Sequence, residues 1–234
     1  MSSPTPVRLR AVLLDAFGTL VALEPPAPRL RAEMRRTLGV EVSAEAAESA
    51  FQAEIAFYLE HHLEGADEHS LDELRDRCAD VIAHALGLEP SAAPGVRVAL
   101  LASLRFSAHS DAAPALGALR AGGLRLVVAS NWDCSLPQVL EDARLGQLVD
   151  GVISSATVGA AKPDPAVFEA ALAAAGASSA EAVHVGDSLL HDVEGARAAG
   201  VRGVLLDRGG EAGGGGAETI VSLSELPSLL LEDP

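Results

Sequence analysis

Short runs of leucine and β-branched residues alternate along this chain with longer alanine- and leucine-rich stretches of helical spacing, and no other feature constrains its fold as much. The runs are Ala11–Leu14, Leu124–Ala129, Val152–Ser154, Ala182–Val185, Val204–Leu206 and Thr219–Val221. Strands separated by crossover helices come to lie side by side in one direction. The pattern therefore predicts an α/β fold built on a doubly wound parallel sheet.

Between the first run and the second lie roughly a hundred residues, far more than one crossover helix needs. From Pro25 to about Phe106 the spacing predicts helices and no strand: Pro28–Leu38 closed by Gly39, Ala44–Leu63, Leu71–Leu86 closed by Gly87, and Pro94–Phe106. Ser70 and Glu73 stand at capping-box spacing before the third of these. Residues 1–22 and 108–234 are thus expected to form the α/β core, and residues 23–107 an inserted all-helical cap. Glu24–Pro28 stiffens the way out of the core, and Ser107–Asp111 forms the way back. Gly209–Gly216, with six glycines in eight residues, follows a late strand and opens no helix, so it reads as a loop rather than a phosphate cradle.

A net charge of -16 repels phosphate backbones and anionic lipid, so neither a nucleic-acid nor a membrane partner is expected. Residues 1–10 are polar, and Asp15 interrupts the first apolar run, so the sequence offers no signal-peptide core and no membrane span. Cys78 and Cys134 lie far apart, which suggests two reduced thiols and a cytoplasmic protein rather than a disulfide or a zinc site. Monomer and homodimer remain open.

In a parallel sheet, ligands bind at the carboxyl ends of the strands, and here four of those ends are polar. The first run ends in Asp15, with Phe17, Gly18 and Thr19 in a tight bend after it. The second delivers Ser130, Asn131, Trp132 and Asp133, where a hydroxyl and main-chain amides can hold an anion. The third leads to Lys162-Pro163-Asp164-Pro165, with Asp164 placed to cap a helix whose first residue is Pro165. Lys162 is the only lysine among 17 basic residues, which suggests a need for a compact ammonium. The fourth ends Gly186-Asp187-Ser188, followed by His191 and Asp192. Converging carboxylates of this kind suit a hard divalent cation such as magnesium.

In these four motifs, taken in order, the chain resembles the haloacid dehalogenase superfamily, in the branch with a helical cap inserted after the first motif. The resemblance covers about Val7 to Leu231. It implies that Asp15 is a nucleophile forming a covalent aspartyl intermediate, with Thr19 in the same catalytic loop. Ser130 and the Asn131 amide would bind the transferring group, with Trp132 beside them. Lys162 would steady the nucleophile and the developing charge. Magnesium would be held by Asp15, Asp187 and the main-chain carbonyl of Phe17, with Asp192 supporting it through water.

Position 17 departs from the pattern of the family's phosphatases, which carry there an aspartate that serves as general acid and then base. Phenylalanine carries no proton, and such help is typically worth about a hundredfold to ten-thousandfold in rate. Dehalogenases of the superfamily have an aromatic residue at this place but leave no metal site, whereas this chain keeps Asp187. Two carboxylates beside one another call for a cation. The leading expectation is a magnesium-dependent phosphatase acting on small phosphorylated metabolites, slow toward ordinary alkyl esters. The alternatives are a metal-independent 2-haloacid dehalogenase and a non-catalytic ligand- or partner-binding protein.

Substrate choice is expected in the cap, with Arg35, Arg36, Phe57 and Tyr58 as candidates. His61, His62 and His69 show no ligand spacing, and Trp132 suits packing between cap and core as well as it suits a pocket. His191 reads as a surface residue.

Overall fold

The computed structural model describes residues 8–210 and 216–231. Most of residues 1–10 and the middle of Gly209–Gly216 lie outside the described residues.

In chain order the elements are β1 (Ala11–Leu14), β2 (Val21–Leu23), α1 (Pro26–Leu38), α2 (Ala44–His61), α3 (Glu68–Ala85), α4 (Ala93–Ser103), β3 (Phe106–Ala108), α5 (Ala112–Ala121), β4 (Arg125–Ser130), α6 (Leu136–Asp142), β5 (Gly151–Ser154), α7 (Ser155–Val158), α8 (Pro165–Ala175), β6 (Ala182–Gly186), α9 (Gly195–Ala198), β7 (Arg202–Leu206), β8 (Glu218–Ile220) and α10 (Leu226–Leu231). Six strands form one parallel sheet in the order β5-β4-β1-β6-β7-β8. All six strands expected from the sequence are present.

β1 is central and wholly buried because every one of its side chains meets an apolar layer. Val12 and Leu14 face Leu116, Leu119, Leu136 and Leu226 on one side of the sheet. Ala11 and Leu13 face Val167, Phe168 and Ala196 on the other. Since β4 and β6 flank β1, the order of connections reverses at β1, and the crevice past its carboxyl end is where a ligand fits.

Helices α1 to α4 bury a separate apolar cluster that includes Leu30, Met34, Phe51, Leu74, Ile82 and Leu100. Pro26 opens α1, and Gly39 closes it in the left-handed conformation. Ser43 accepts the Ala46 N–H at the start of α2.

Three local expectations are corrected. α3 begins before Leu71: Asp67 is its cap, and Ser70, the expected cap, is the third helical residue and bonds back to Asp67. The fourth helix ends at Ser103, and Phe106 lies in a strand. The way back into the core begins as strand, because Ser107 and Ala108 belong to β3, which pairs antiparallel with β2, Val21 with Ala108 and Leu23 with Phe106.

Candidate active site

The parallel register brings the polar strand ends together. Leu14 lies opposite Val128 on β4 and Val185 on β6, so Asp15 emerges level with the ends of both neighbours, and its N–H donates to the Val185 carbonyl at 2.9 Å. Ser130 ends β4 and donates its hydroxyl to Asp15 Oδ1 at 2.8 Å. Lys162, from the loop before α8, places Nζ 2.7 Å from Asp15 Oδ1 and 2.5 Å from Asp192 Oδ1. Asp164 caps α8 by accepting the Ala166 N–H at 2.9 Å, as the sequence led us to expect.

The Asn131 side chain faces the lysine loop and leaves its main-chain amide apart from that contact. It donates to the Lys162 carbonyl at 3.0 Å and accepts the Lys162 N–H at 2.7 Å, which fixes the lysine loop against the end of β4. Its side chain thus positions Lys162 and is not turned to an anion. Thr19 lies in the bend after Asp15, its hydroxyl buried and without a hydrogen-bond partner among the described residues.

Asp192 lies in a π-helical turn, Leu189–Glu194, and accepts hydrogen bonds from Lys162 and from the Ser188 N–H at 2.9 Å. Its other partner is His184, whose Nε2 lies 2.9 Å from Oδ1. His184 is fully buried in β6 and was missed in the sequence, where it reads as one polar residue in an apolar run.

The electrostatics follow from this packing. Burial raises the Asp15 carboxyl, aided by Asp192 and opposed by Lys162 and Ser130. Burial works against the Lys162 ammonium, but Asp15 and Asp192 outweigh it and raise its pKa. Burial likewise opposes the charge on Asp192, yet Lys162 and His184 hold it well below the usual carboxylate range. Desolvation keeps the His184 imidazole low, favouring the neutral ring. Asp187 stands on the open side of the group, pushed up to about 6 by desolvation and by the charges of Asp15 and Asp192.

Oxygens of Asp15, Asp187 and Asp192 all lie within 4.8 Å of one another. Lys162 balances one of these carboxylates, so a further cation has reason to bind, and an all-oxygen set with one exposed member suits magnesium, which keeps several waters. His61, His62 and His69 join no such group among the described residues. They face Glu64, the Leu59 carbonyl and Glu73 respectively. His191 is exposed beside Ser188.

Phe17 points outward, 50% exposed, with its ring 6.4 Å from that of Trp132 in an edge contact. Both line a cavity of about 760 Å³ between the helical cluster and the sheet, together with Asn131, Phe106, Tyr58 and Glu54. Tyr58 donates to Asp133 Oδ2 at 2.8 Å, joining α2 to the end of β4. Of the four cap candidates only Tyr58 lines this space. Arg35 and Arg36 lie on the outer surface, paired with Glu41 and Glu33, and Phe57 packs on His61 beneath Arg77.

A hydrolase-type crevice at the end of a parallel sheet, with an aspartate, a lysine and two further carboxylates, is the class that this geometry defines. Residues 9–200 match the family described as haloacid dehalogenase-like hydrolase, and the chain belongs to that family. It is 32% identical over 211 residues to haloacid dehalogenase-like hydrolase domain-containing protein 3 of Mus musculus, covering 86% of this chain and 82% of that protein. It is 39% identical over 120 residues to Phosphatase MT3486 of Mycobacterium tuberculosis (strain CDC 1551 / Oshkosh), covering 50% of this chain and 55% of that protein.

Among solved structures, a HAD phosphatase from Thermococcus onnurineus superposes with a TM-score of 0.66 at 25% identity, covering 95% of this chain and 98% of the other. A 2-haloacid dehalogenase from Pseudomonas syringae pv. Tomato DC3000 superposes with a TM-score of 0.68 at 24% identity over the same shares, a likeness of fold alone. No helix among the described residues is long and apolar enough to cross a membrane.

Proposed function

We propose that this hydrolase is a magnesium-dependent phosphatase with Asp15 as nucleophile, acting on small phosphate esters and anhydrides with good leaving groups. The observation that carries this reading is the group of three carboxylates around one ammonium, which a metal-free halide displacement has no use for.

Ser130 and Lys162 both bond to Asp15 Oδ1, so Oδ2 is the oxygen left to attack. It forms a bond to phosphorus as the bond to the leaving oxygen breaks, giving an aspartyl phosphate that water then opens. Lys162 balances charge on the phosphoryl oxygens, and the Ser130 hydroxyl and Asn131 main-chain amide bind them. Magnesium, held by Asp15, Asp187 and the Phe17 carbonyl with Asp192 behind, would supply further neutralisation of that charge. Thr19 serves in this reading by shaping the nucleophile loop. Residues 23–107 act as a cap over the crevice, and the free thiols Cys78 and Cys134 suit a cytoplasmic setting. The phosphatase name of the mycobacterial relative agrees with this chemistry.

One observation favours a second reading. Phe17 turns an aromatic ring toward the cavity at the place of a general acid, which suits a 2-haloacid dehalogenase. The test is turnover of p-nitrophenyl phosphate and acetyl phosphate, expected to need magnesium and to vanish in Asp15→Asn. Metal-independent halide release from 2-chloropropionate would establish the dehalogenase instead. For a non-catalytic binding protein neither activity appears, and Phe17→Asp does not restore hydrolysis of alkyl phosphates.

A further inference from the structure

The cavity beside Phe17 and Asn131 holds a carboxyl that the chemistry at Asp15 does not use. α2 turns Ala47, Ala50, Phe51 and Glu54 inward at the spacing of an apolar stripe, yet its fourth member is acidic and only 5% exposed. Glu54 lines the cavity among Phe51, Leu71, Leu74 and Leu100. Among the described residues its polar partner is the Cys78 thiol, and no basic group acts on it. The two arginines on the cavity wall are engaged elsewhere or exposed: Arg75 lies toward Asp72, and Arg105 opens to solvent.

A buried carboxylate without a cation is costly, and the group answers by holding its proton: burial pushes Glu54 up to about 7 despite the Cys78 bond. Asp133, bonded to Tyr58, lines the same cavity with Glu24 and Asp142, so four acids face two arginines and the excess negative charge turns anionic ligands away. Beside Glu54 the cavity thus lacks one component, a positive charge on an apolar frame.

We propose that this cavity seats the leaving group and takes a primary ammonium carried on an alkyl or aralkyl skeleton, with its nitrogen on Glu54 and its carbons against Phe51, Leu71 and Leu74. This rests on the phosphatase reading, because the cavity opens beside Asn131 and Phe17 at the rim of the Asp15 site. The substrate class is therefore a phosphate ester bearing a remote amine. Binding ionises Glu54 and releases its proton, so affinity for the amine rises from pH 6 to pH 8.

Trp132, the single tryptophan of the chain, lines the cavity and reports occupancy independently of turnover. With magnesium present at pH 8, its fluorescence is titrated with 2-cyclohexylethylamine, 2-cyclohexylethanol and 3-cyclohexylpropionate. The amine should bind about tenfold or more tightly than the alcohol, as a charge-assisted hydrogen bond warrants, and the carboxylate weakest. Glu54→Gln should erase the preference for the amine. Equal binding of amine and alcohol by the wild-type protein, tighter binding of the alcohol, or a preference that survives in Glu54→Gln would overturn the proposal.

A second measurement separates this inference from the reading beneath it. The aryl phosphates 4-(2-aminoethyl)phenyl phosphate and 4-propylphenyl phosphate share a leaving oxygen, so the amine should lower KM and leave kcat little changed. If neither is hydrolysed while the amine preference persists, the phosphatase reading falls and the Glu54 site stands. If both are hydrolysed with equal KM, the Glu54 site falls and the phosphatase reading stands.

Discussion

A Cβ on Gly18 would overlap the carboxylate of Asp187, so the bend after Asp15 and the acid at the end of β6 occupy their places only because residue 18 has no side chain. The φ of Gly18 is +78°, which penalises any other residue by roughly 1–2 kcal/mol before the overlap is counted. Gly18→Ala should therefore displace Asp187. The expected outcome is a magnesium half-saturation raised about tenfold or more with the fold retained, measured by titrating activity with the metal and checking the thermal transition.

Among the described residues Lys162 is the one cation between Asp15 and Asp192, with all three side chains buried. Removing one partner of such a group strands the other charges, at a cost of about 3–5 kcal/mol. Lys162→Met should lower unfolding stability by that order and abolish turnover. A chemical denaturation curve checks the first, and the p-nitrophenyl phosphate assay the second.

Arg208 ties the nucleophile loop to the sheet by donating to the Gly18 and Thr19 carbonyls, at 3.2 and 2.9 Å, and by pairing with Asp111. Burial pushes Asp111 upward, but Arg208, the Ser222 hydroxyl and the Leu223 N–H outweigh it and hold it at about 2. A depressed carboxyl contributes stability above its ordinary value of 3.8, and that contribution is lost as pH falls through about 2. Arg208→Ala should destabilise the protein at pH 6 more than at pH 2, read as the difference in unfolding free energy at the two values.

Glu54 has the opposite sign. Its proton is retained in the folded protein up to about 7, whereas the unfolded chain releases it near 4.5, so stability declines across that interval as pH rises. The decline amounts to about 3 kcal/mol for this group. Glu54→Gln should flatten it, making the variant the more stable of the two at pH 8 but not at pH 4.5, as urea denaturation at each pH will show.

The elements that carry Asp15, Ser130, Lys162 and Asp187 were legible because each motif is local: an apolar run, then a polar end, then a helix start. Register did the rest, since parallel neighbours of a central strand end at one level. The β2–β3 ribbon was not legible, because three-residue strands so far apart in sequence leave no local period. Glu54 and His184 were hidden for a different reason. A glutamate on a helix reads as solvated and a histidine in an apolar strand as core, and only the packing of α2 and β6 shows what each faces. Arg35 and Arg36 do not line the cavity, because helical spacing does not say which side of the helical cluster meets the sheet; both pair with glutamates on the outer surface.

The most direct test of the catalytic assignment is to trap the covalent species. Protein turning over acetyl phosphate with magnesium is quenched in acid, reduced with borohydride and read by peptide mass spectrometry, in which an aspartyl phosphate appears as homoserine. Conversion at residue 15, dependent on magnesium and absent in Asp15→Asn, is the expected result. Steady turnover with residue 15 unconverted, or an Asp15 ester formed from 2-chloropropionate without metal, would contradict it.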